Sequence, residues 1–326
     1  MNKNLVFNIL AYEDEYQTST QMGEGCTNLV IRNYLKDSFV CLKSCLLHTP
    51  NTDAKLFVNF EMVKEDRVLF EENGIEICQL AFDKFRFPKE YRWALVNYRL
   101  CVLDHIVHHM EYENILAIDT DEYCVDDLSD AFAEMREGMV LYDTAERFSH
   151  SERQAIIDTA EFYFGRRVNV PHIGGEFIGG NKDAMKEFLK ICQDVIDRSF
   201  AKVEEKKLYK YNDEYVMSAA VYAYAERGRI INAAPYIYRY WTIRKFFLVS
   251  TNWKYNSVCL WHMPVEKKRG MFKLYNYYMK YKRFPEKEKA AAMMGFGRST
   301  RPYVLSDYPI LLKNRLAERA EKKRDK

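Results

Sequence analysis

Residues 115–121 have the sequence ILAIDTD, and this stretch decides the fold. Its four apolar residues are typical of a short strand that is buried on both faces. The two carboxylates that follow, Asp119 and Asp121, leave an extended backbone on the same side. Like charges held this close repel each other unless a cation lies between them, and open α/β sheets bind ligands at the carboxyl ends of their strands. The pattern therefore predicts a divalent-ion site; the alternative is a strand-end turn with two solvated aspartates.

The chain on both sides of this strand alternates between predicted strands and helices. Strands are predicted at residues 5–10, 55–60, 75–80, 139–142 and 229–233, and helices at residues 30–48, 63–72, 90–109, 126–136, 146–167, 184–200 and 215–225. Such alternation is typical of right-handed βαβ units. It predicts an α/β protein with a mostly parallel sheet flanked by helices.

The composition is that of a globular protein, with an uneven distribution of charge. Of the 326 residues, 48% are hydrophobic and 29% are charged, which allows a large buried core. Residues 264–326 carry 18 Lys and Arg against 7 Asp and Glu, whereas the rest of the chain is acidic. A basic segment on an acidic body suggests an anionic partner such as a phosphate-bearing donor, a membrane surface or nucleic acid. The alternative is a solvated, charged helix.

The cysteines and the N-terminal residues predict a cytoplasmic protein. The eight cysteines form no Cys-x-x-Cys pair, and several lie in apolar runs, as expected for small core residues in a reducing compartment. No basic-then-apolar leader is recognisable, and no apolar run approaches the roughly 18 residues that a membrane span needs.

Residues 172–180, HIGGEFIGG, contain four of the 13 glycines. Glycine permits positive φ and lets the backbone approach a ligand closely. We therefore predict that this segment lines the ligand site, and the alternative is a tight hairpin.

Five further side chains could carry chemistry. Asp213 and Glu214 open a predicted helix, where ordinary helix capping is the alternative explanation. His262 follows the last predicted strand, at residues 257–261, and is either a metal ligand or a polar strand end. His105 and His109 have the i, i+4 spacing of zinc ligands, but no glutamate follows His105, so the metalloprotease motif is absent.

The order of these motifs resembles glycosyltransferase family 6, the group of histo-blood-group A/B transferases and α-1,3-galactosyltransferases. The resemblance covers about residues 90–238, and Asn212 departs from the histidine that the family usually has before Asp-Glu. The residues that carry it are Arg92-Trp93, Arg99, Asp119-Thr120-Asp121, residues 174–180, Asp213-Glu214 and Pro235-Tyr236. It implies a GT-A fold, the Rossmann-like sheet of nucleotide-sugar transferases. Residues 1–125 would bind the nucleotide, residues 126–263 the sugar and acceptor, and residues 264–326 would form a basic, largely helical extension.

The resemblance also implies roles for individual residues. Asp119 and Asp121 would bind Mn²⁺ or Mg²⁺ and, through the ion, the diphosphate of the donor. Glu214 would lie under the anomeric carbon as the catalytic carboxylate. Glycine at position 175 would leave room for an N-acetyl group. The other residues expected to contact the donor are Tyr12, Arg99, Ile173, Gly174, Asp213 and Lys268, the last together with Lys267 and Arg269.

The implied activity is retaining transfer of galactose or N-acetylgalactosamine from a UDP-sugar, in an α-1,3 linkage typical of polysaccharide biosynthesis. The acceptor would be a saccharide or a lipid-linked saccharide, with no nucleic-acid partner and with peripheral contact at the inner membrane face through the basic extension. Family 8 transferases share the Asp-x-Asp, a helix arginine and a late metal-binding histidine. In that alternative, His262 would be a metal ligand and the donor another UDP-hexose.

Two alternatives lie outside this chemistry. A sugar nucleotidyltransferase needs a glycine- and lysine-rich loop after the first strand, whereas residues 11–16 are acidic and aromatic. A non-catalytic protein would use the basic segment to bind nucleic acid or a membrane.

Overall fold

The computed structural model describes residues 3–13, 28–88, 93–144, 150–200, 212–242 and 255–296, together with Pro309, Leu312 and Leu316. Side chains are described outside positions 28, 29, 150–152 and 200. Several predictions therefore fall outside the described residues. These are the role of Arg92, the start of the helix predicted at 90–109, the charged segment 202–211 and most of the basic tail beyond residue 296.

A seven-stranded sheet forms the centre of the molecule, in the order β3-β2-β1-β4-β7-β6-β8. β1, β2, β3 and β4 pair in parallel, as do β6 and β8, while β7 runs antiparallel to both β4 and β6. The predicted α/β class with a mostly parallel, helix-flanked sheet is confirmed. The strands are β1 (Asn4–Leu10), β2 (Thr52–Val58), β3 (Ile75–Gln79), β4 (Asn114–Ile118), β6 (Met139–Asp143), β7 (Ile173–Asn181) and β8 (Ile230–Asn232).

Helices cover both faces of this sheet. Alternate side chains of β4 enter opposite cores: Ile115 and Ala117 pack on one side, and Leu116 and Ile118 pack on the other. This alternation explains the continuous apolar run in the sequence, because neither face of the strand meets water. The helices are α1 (Asn28–His48), α2 (Lys64–Glu71), α3 (Tyr98–His109), α4 (Ser129–Met135), α5 (His150–Phe164), α6 (Lys182–Phe200), α7 (Asp213–Tyr224), α8 (Gly270–Tyr281) and α9 (Lys287–Met293).

A second, three-stranded sheet lies beyond the end of β4. It consists of β5 (Glu122–Cys124), β9 (Ile237–Arg239) and β10 (Leu260–His262), in the order β5-β10-β9. Residues 119–121 join the two sheets, so the Asp-x-Asp lies where the chain crosses from one sheet to the other. Neither β5 nor β9 was predicted, because three-residue strands give too little periodicity to recognise.

The glycine-rich segment is a strand and not the alternative hairpin. Residues 173–181 form the nine-residue strand β7 inside the large sheet, and contact of this segment with a ligand stays a prediction. Its four glycines all have negative or extended φ, since the positive-φ glycines among the described residues lie elsewhere. Glycine is used here for space, because an added Cβ at Gly179 or Gly180 would collide with a methionine, Met135 or Met139.

The predicted helix at 90–109 is shorter than expected. A single 3-10 turn, Ala94–Asn97, precedes α3, which begins at Tyr98. Trp93 therefore lies in a turn before the helix, not on its face.

The first part of the predicted basic extension packs on the large sheet's helices. The rings of Tyr275 and Tyr278 in α8 lie 5.7 and 5.3 Å from that of Phe39 in α1. The boundary at residue 263 stays a prediction. None of the described helices combines the length and the apolar character that a membrane span requires.

Candidate active site

The Asp-x-Asp is held in a defined turn between β4 and β5. The backbone amide of Asp119 donates a 2.7 Å hydrogen bond to Glu122 Oε1, which closes the turn. The Asp121 side chain is 2% exposed, whereas that of Asp119 is 30% exposed. The Asp121 carboxylate thus lies inside the protein, whereas the Asp119 carboxylate is partly exposed.

His262 reaches the aspartates through the register of the small sheet. β10 runs antiparallel to β5 with His262 opposite Glu122, and the amide of Met263 donates to the carbonyl of Asp121 at 3.0 Å. This pairing places His262 Nε2 3.3 Å from Asp121 Oδ2 and 3.7 Å from Asp119 Oδ2. The sequence left His262 open between a metal ligand and a polar strand end, and the structure brings it to the Asp pair.

These three residues fit a divalent ion. One ligand atom from each of Asp119, Asp121 and His262 lies within 4.8 Å of the other two. Asp121 Oδ2 is buried, and its polar neighbours are His262 Nε2 at 3.3 Å and Lys267 Nζ at 3.1 Å. Two carboxylates and one imidazole are suitable ligands for Mn²⁺ and related ions.

Positive side chains surround the same oxygens. Lys267 Nζ lies 3.1 Å from Asp121 Oδ2, and the Arg99 guanidinium hydrogen-bonds to Asp119. Burial alone would raise the pKa of Asp121, but Lys267 and His262 outweigh it and hold that pKa well below its usual range. Burial opposes the charged imidazole of His262, yet Asp121 and Glu176 raise its pKa to about 9. A metal must therefore displace a proton from His262.

The turn that carries Lys267 is held by the side chain of its neighbour Glu266. The Glu266 carboxylate is fully buried, accepts a 2.6 Å hydrogen bond from Thr242 Oγ1, and accepts another from the amide of Gly270 at the start of α8. Lys268, the residue predicted to contact the donor, is exposed, whereas Lys267 points into the site. The local backbone conformation determines which of the two adjacent lysines points into the site.

Arg99 links the aspartates to the glycine-rich strand and to α7. Its guanidinium hydrogen-bonds to the carbonyl of Gly175, and Nη1 lies 3.4 Å from Asp213 Oδ2. An added Cβ at Gly175 would meet both Arg99 and Asp213. The side chains of Arg99 and Asp213 therefore occupy the space beside Gly175, and the room expected there for an N-acetyl group stays a prediction.

Glu214 lies in a second cluster of charges. Its Oε2 is 2.9 Å from His172 Nε2, and its Oε1 accepts a 3.0 Å hydrogen bond from Arg239 Nη2. Burial would raise the pKa of Glu214, but Arg239 and His172 lower it, so the carboxylate is ionised. Asn212 caps α7 by accepting from the amide of Tyr215, which fixes the first turn that carries Asp213 and Glu214.

Glu176 connects the two clusters. Its carboxylate is fully buried and pairs with Arg239 through two hydrogen bonds of 2.6 Å, and its Oε1 lies 3.3 Å from His262 Nδ1. Sequence reasoning assigned no role to Glu176, Arg239 or His172. Arg239 and His262 are paired neighbours on β9 and β10, a long-range contact that no local pattern reveals.

A pocket opens beside Asp119 at the carboxyl ends of β1 and β4. Tyr12 is held there by two backbone hydrogen bonds with the Asn59 side chain, of 2.7 and 3.0 Å. Ile173 does not line this pocket but is buried in the core. The lining combines aromatic and charged side chains, among them Tyr12, Tyr34, Trp93, Arg99, Asp119, Asp121 and Lys267.

Asp213 makes stability depend on pH. Burial, opposed by Arg99 and reinforced by Glu214, raises its pKa from 3.8 to about 7. A raised carboxyl pKa contributes stability that is complete below pH 3.8 and is lost as the pH rises through 7. We expect the melting temperature of the unaltered protein to fall by several degrees relative to Asp213→Asn between pH 4 and 7.5, measured by differential scanning calorimetry. A constant difference across this range would contradict the assignment.

No protein-family model matches the sequence, and no curated protein matches it significantly. Among solved structures, the chain is similar to mouse xyloside xylosyltransferase 1 in its apo form. The identity is 9% and the TM-score 0.51, over 79% of this chain and 97% of the mouse chain. The chain has the GT-A fold. The likeness supports the fold implied by the family 6 resemblance, and it does not single out family 6.

Proposed function

We propose that this protein is a metal-dependent glycosyltransferase that takes its sugar from a nucleotide-diphosphate donor. The observation that carries the proposal is the convergence of Asp119, Asp121 and His262 at the end of β4, beside an aromatic and basic pocket. A divalent ion held there, Mn²⁺ or Mg²⁺, would stabilise the negative charge of the departing nucleoside diphosphate.

The pocket suits the two ends of such a donor. Tyr12 and Trp93 offer aromatic faces to a base, with Tyr12 fixed by Asn59. Arg99 and Lys267 present positive charge next to the aspartates, where phosphate oxygens would approach. Both cations are bound to carboxylates, so a diphosphate would compete with these carboxylates for them.

Glu214 is proposed as the carboxylate that faces the reacting sugar carbon. Arg239 and His172 keep it ionised and fix its orientation. A carboxylate beneath a sugar ring either captures the oxocarbenium-like carbon or stabilises its charge. Either role is compatible with retention of configuration, which we include in the proposal.

The position of His262 favours the family 8-like alternative over family 6. A late histidine within 3.3 and 3.7 Å of the two aspartate oxygens is the feature that this alternative implies. The side chains of Arg99 and Asp213 lie at Gly175, where the family 6 resemblance implied space for an N-acetyl group, so this position gives no support to an N-acetylated donor. We therefore propose a UDP-hexose as donor and a saccharide as acceptor.

Release of UDP from a panel of UDP-hexoses tests this function. We expect one donor to be hydrolysed slowly in Mn²⁺, with hydrolysis stopped by EDTA and restored by added Mn²⁺. Turnover unaffected by EDTA would contradict metal dependence, and turnover of none of the donors would contradict the function. Pyrophosphate released from UTP and a sugar 1-phosphate would instead identify a nucleotidyltransferase.

A further inference from the structure

We propose that Glu176 is a positioning residue that orients His262 for the metal and ties the metal site to Glu214. The inference rests on the proposed function, because it concerns the metal site assigned there. The inference gives the glycine-rich strand β7 a role at the metal site, which its predicted contacts with the donor did not include.

Glu176 contacts the imidazole of His262. Glu176 Oε1 lies 3.3 Å from Nδ1, while Nε2 of the same ring faces Asp119 and Asp121. A proton on Nδ1 that is donated to Glu176 leaves the Nε2 lone pair free for a metal. A carboxylate in this place fixes the tautomer and orientation of a metal-binding histidine and increases its basicity.

Glu176 also contacts the guanidinium of Arg239. Nε and Nη2 of Arg239 donate to the two Glu176 oxygens at 2.6 Å, and Nη2 also donates to Glu214 at 3.0 Å. A planar guanidinium held on both carboxylates fixes their relative positions. The chain of contacts from the metal site to the proposed catalytic carboxylate is therefore His262, Glu176, Arg239 and Glu214.

The glycine two residues before Glu176 makes room for its side chain. An added Cβ at Gly174 would collide with the Glu176 carboxylate and with Thr144. Glycine at this position lets a charged side chain fold back against its own strand in the interior. A buried ion pair is a costly way to stabilise a core, because hydrophobic residues of similar volume usually serve as well. A positioning role accounts for retaining it.

The test is Mn²⁺ binding by the protein alone, measured from the electron paramagnetic resonance signal of free Mn²⁺. Glu176→Gln is expected to weaken Mn²⁺ binding about 10- to 100-fold, the usual effect of losing a carboxylate behind a metal-binding histidine. In the His262→Gln background, the same substitution is expected to change the affinity less than about 3-fold. A general structural defect would weaken binding equally in both backgrounds, and that result would overturn the proposal.

Glu214→Gln is the matched control, because Glu214 shares Arg239 but does not contact His262. Its Mn²⁺ affinity is expected to stay within about 3-fold of the unaltered protein, whereas an equal loss would overturn the proposal. If Glu176→Gln fails to fold, the double variant Glu176→Gln/Arg239→Gln removes both charges together and is expected to show the same loss. Absence of Mn²⁺ binding by the unaltered protein would contradict the proposed metal site itself, whereas an undiminished affinity of Glu176→Gln would contradict this inference alone.

Discussion

Replacing Glu214 by glutamine is expected to reduce sugar transfer about 1,000-fold while leaving the binding of UDP and Mn²⁺ within about 3-fold. Glutamine has nearly the same shape and still accepts a hydrogen bond from Arg239, but it lacks the negative charge that a developing oxocarbenium ion requires. The expected loss therefore appears in kcat and not in affinity. Steady-state transfer and isothermal titration with UDP measure the two quantities.

Glu226→Gln is the control for this prediction, because Glu226 is exposed just beyond the end of α7. It is expected to transfer sugar at the rate of the unaltered protein. Full activity of Glu214→Gln would remove Glu214 from the reaction. A parallel loss of UDP affinity would give it a binding role instead.

Asp121→Asn is expected to have a comparable effect by a different route. It removes a buried carboxylate that lies 3.3 Å from His262 and 3.1 Å from Lys267. Without that charge the ion is held by Asp119 and His262 alone, and the stabilisation of the leaving diphosphate, worth several kcal/mol, is lost. We expect transfer to fall about 1,000-fold and UDP binding in Mn²⁺ to fall to its level in EDTA.

Asp130→Asn provides the matched control, since Asp130 is exposed in the first turn of α4. Near-ultraviolet circular dichroism separates loss of the ion from loss of folding, because Asp121 also balances two buried cations. UDP binding by Asp121→Asn that still responds to Mn²⁺ would show that the ion is bound elsewhere.

Local sequence patterns predicted the parts of the fold that depend on local interactions. The apolar run before Asp119 predicted β4, because a strand covered on both faces has only one kind of side chain. The helix start at Asp213 was also recognisable, since acidic residues are favoured in a first helical turn, and the structure adds Asn212 as the N-cap. The mostly parallel α/β sheet followed from the alternation of these elements, whereas the GT-A fold was implied by the family resemblance.

The rest of the site depends on contacts between distant parts of the chain. His262 reaches Asp121 only because β10 pairs with β5, and Arg239 reaches Glu176 only because β9 pairs with β10. Strand pairing over such separations leaves no mark on local periodicity. The glycine-rich segment was not predicted to be a strand for a related reason, because glycine has no side chain that could show the alternation of a strand.

The sequence also could not predict which of two adjacent residues lies in the site. The sequence alone does not distinguish Lys267 from Lys268. In the structure, Glu266 accepts a hydrogen bond from the first turn of α8, and Lys267 lies 3.1 Å from Asp121. Likewise, Gly175 is consistent with either an open sugar subsite or a close approach of Arg99. The place of the guanidinium beside Gly175 could be learned only from the structure.

The central claim is that Asp119, Asp121 and His262 hold a divalent ion that binds the donor diphosphate. Crystals grown with Mn²⁺ and UDP, measured at the manganese absorption edge, test it most directly. The account predicts one anomalous peak in contact with all three side chains and with the phosphate oxygens of UDP, and with Lys267 moved away from Asp121. Bound UDP with no peak between these residues, or a peak at another site, would contradict it.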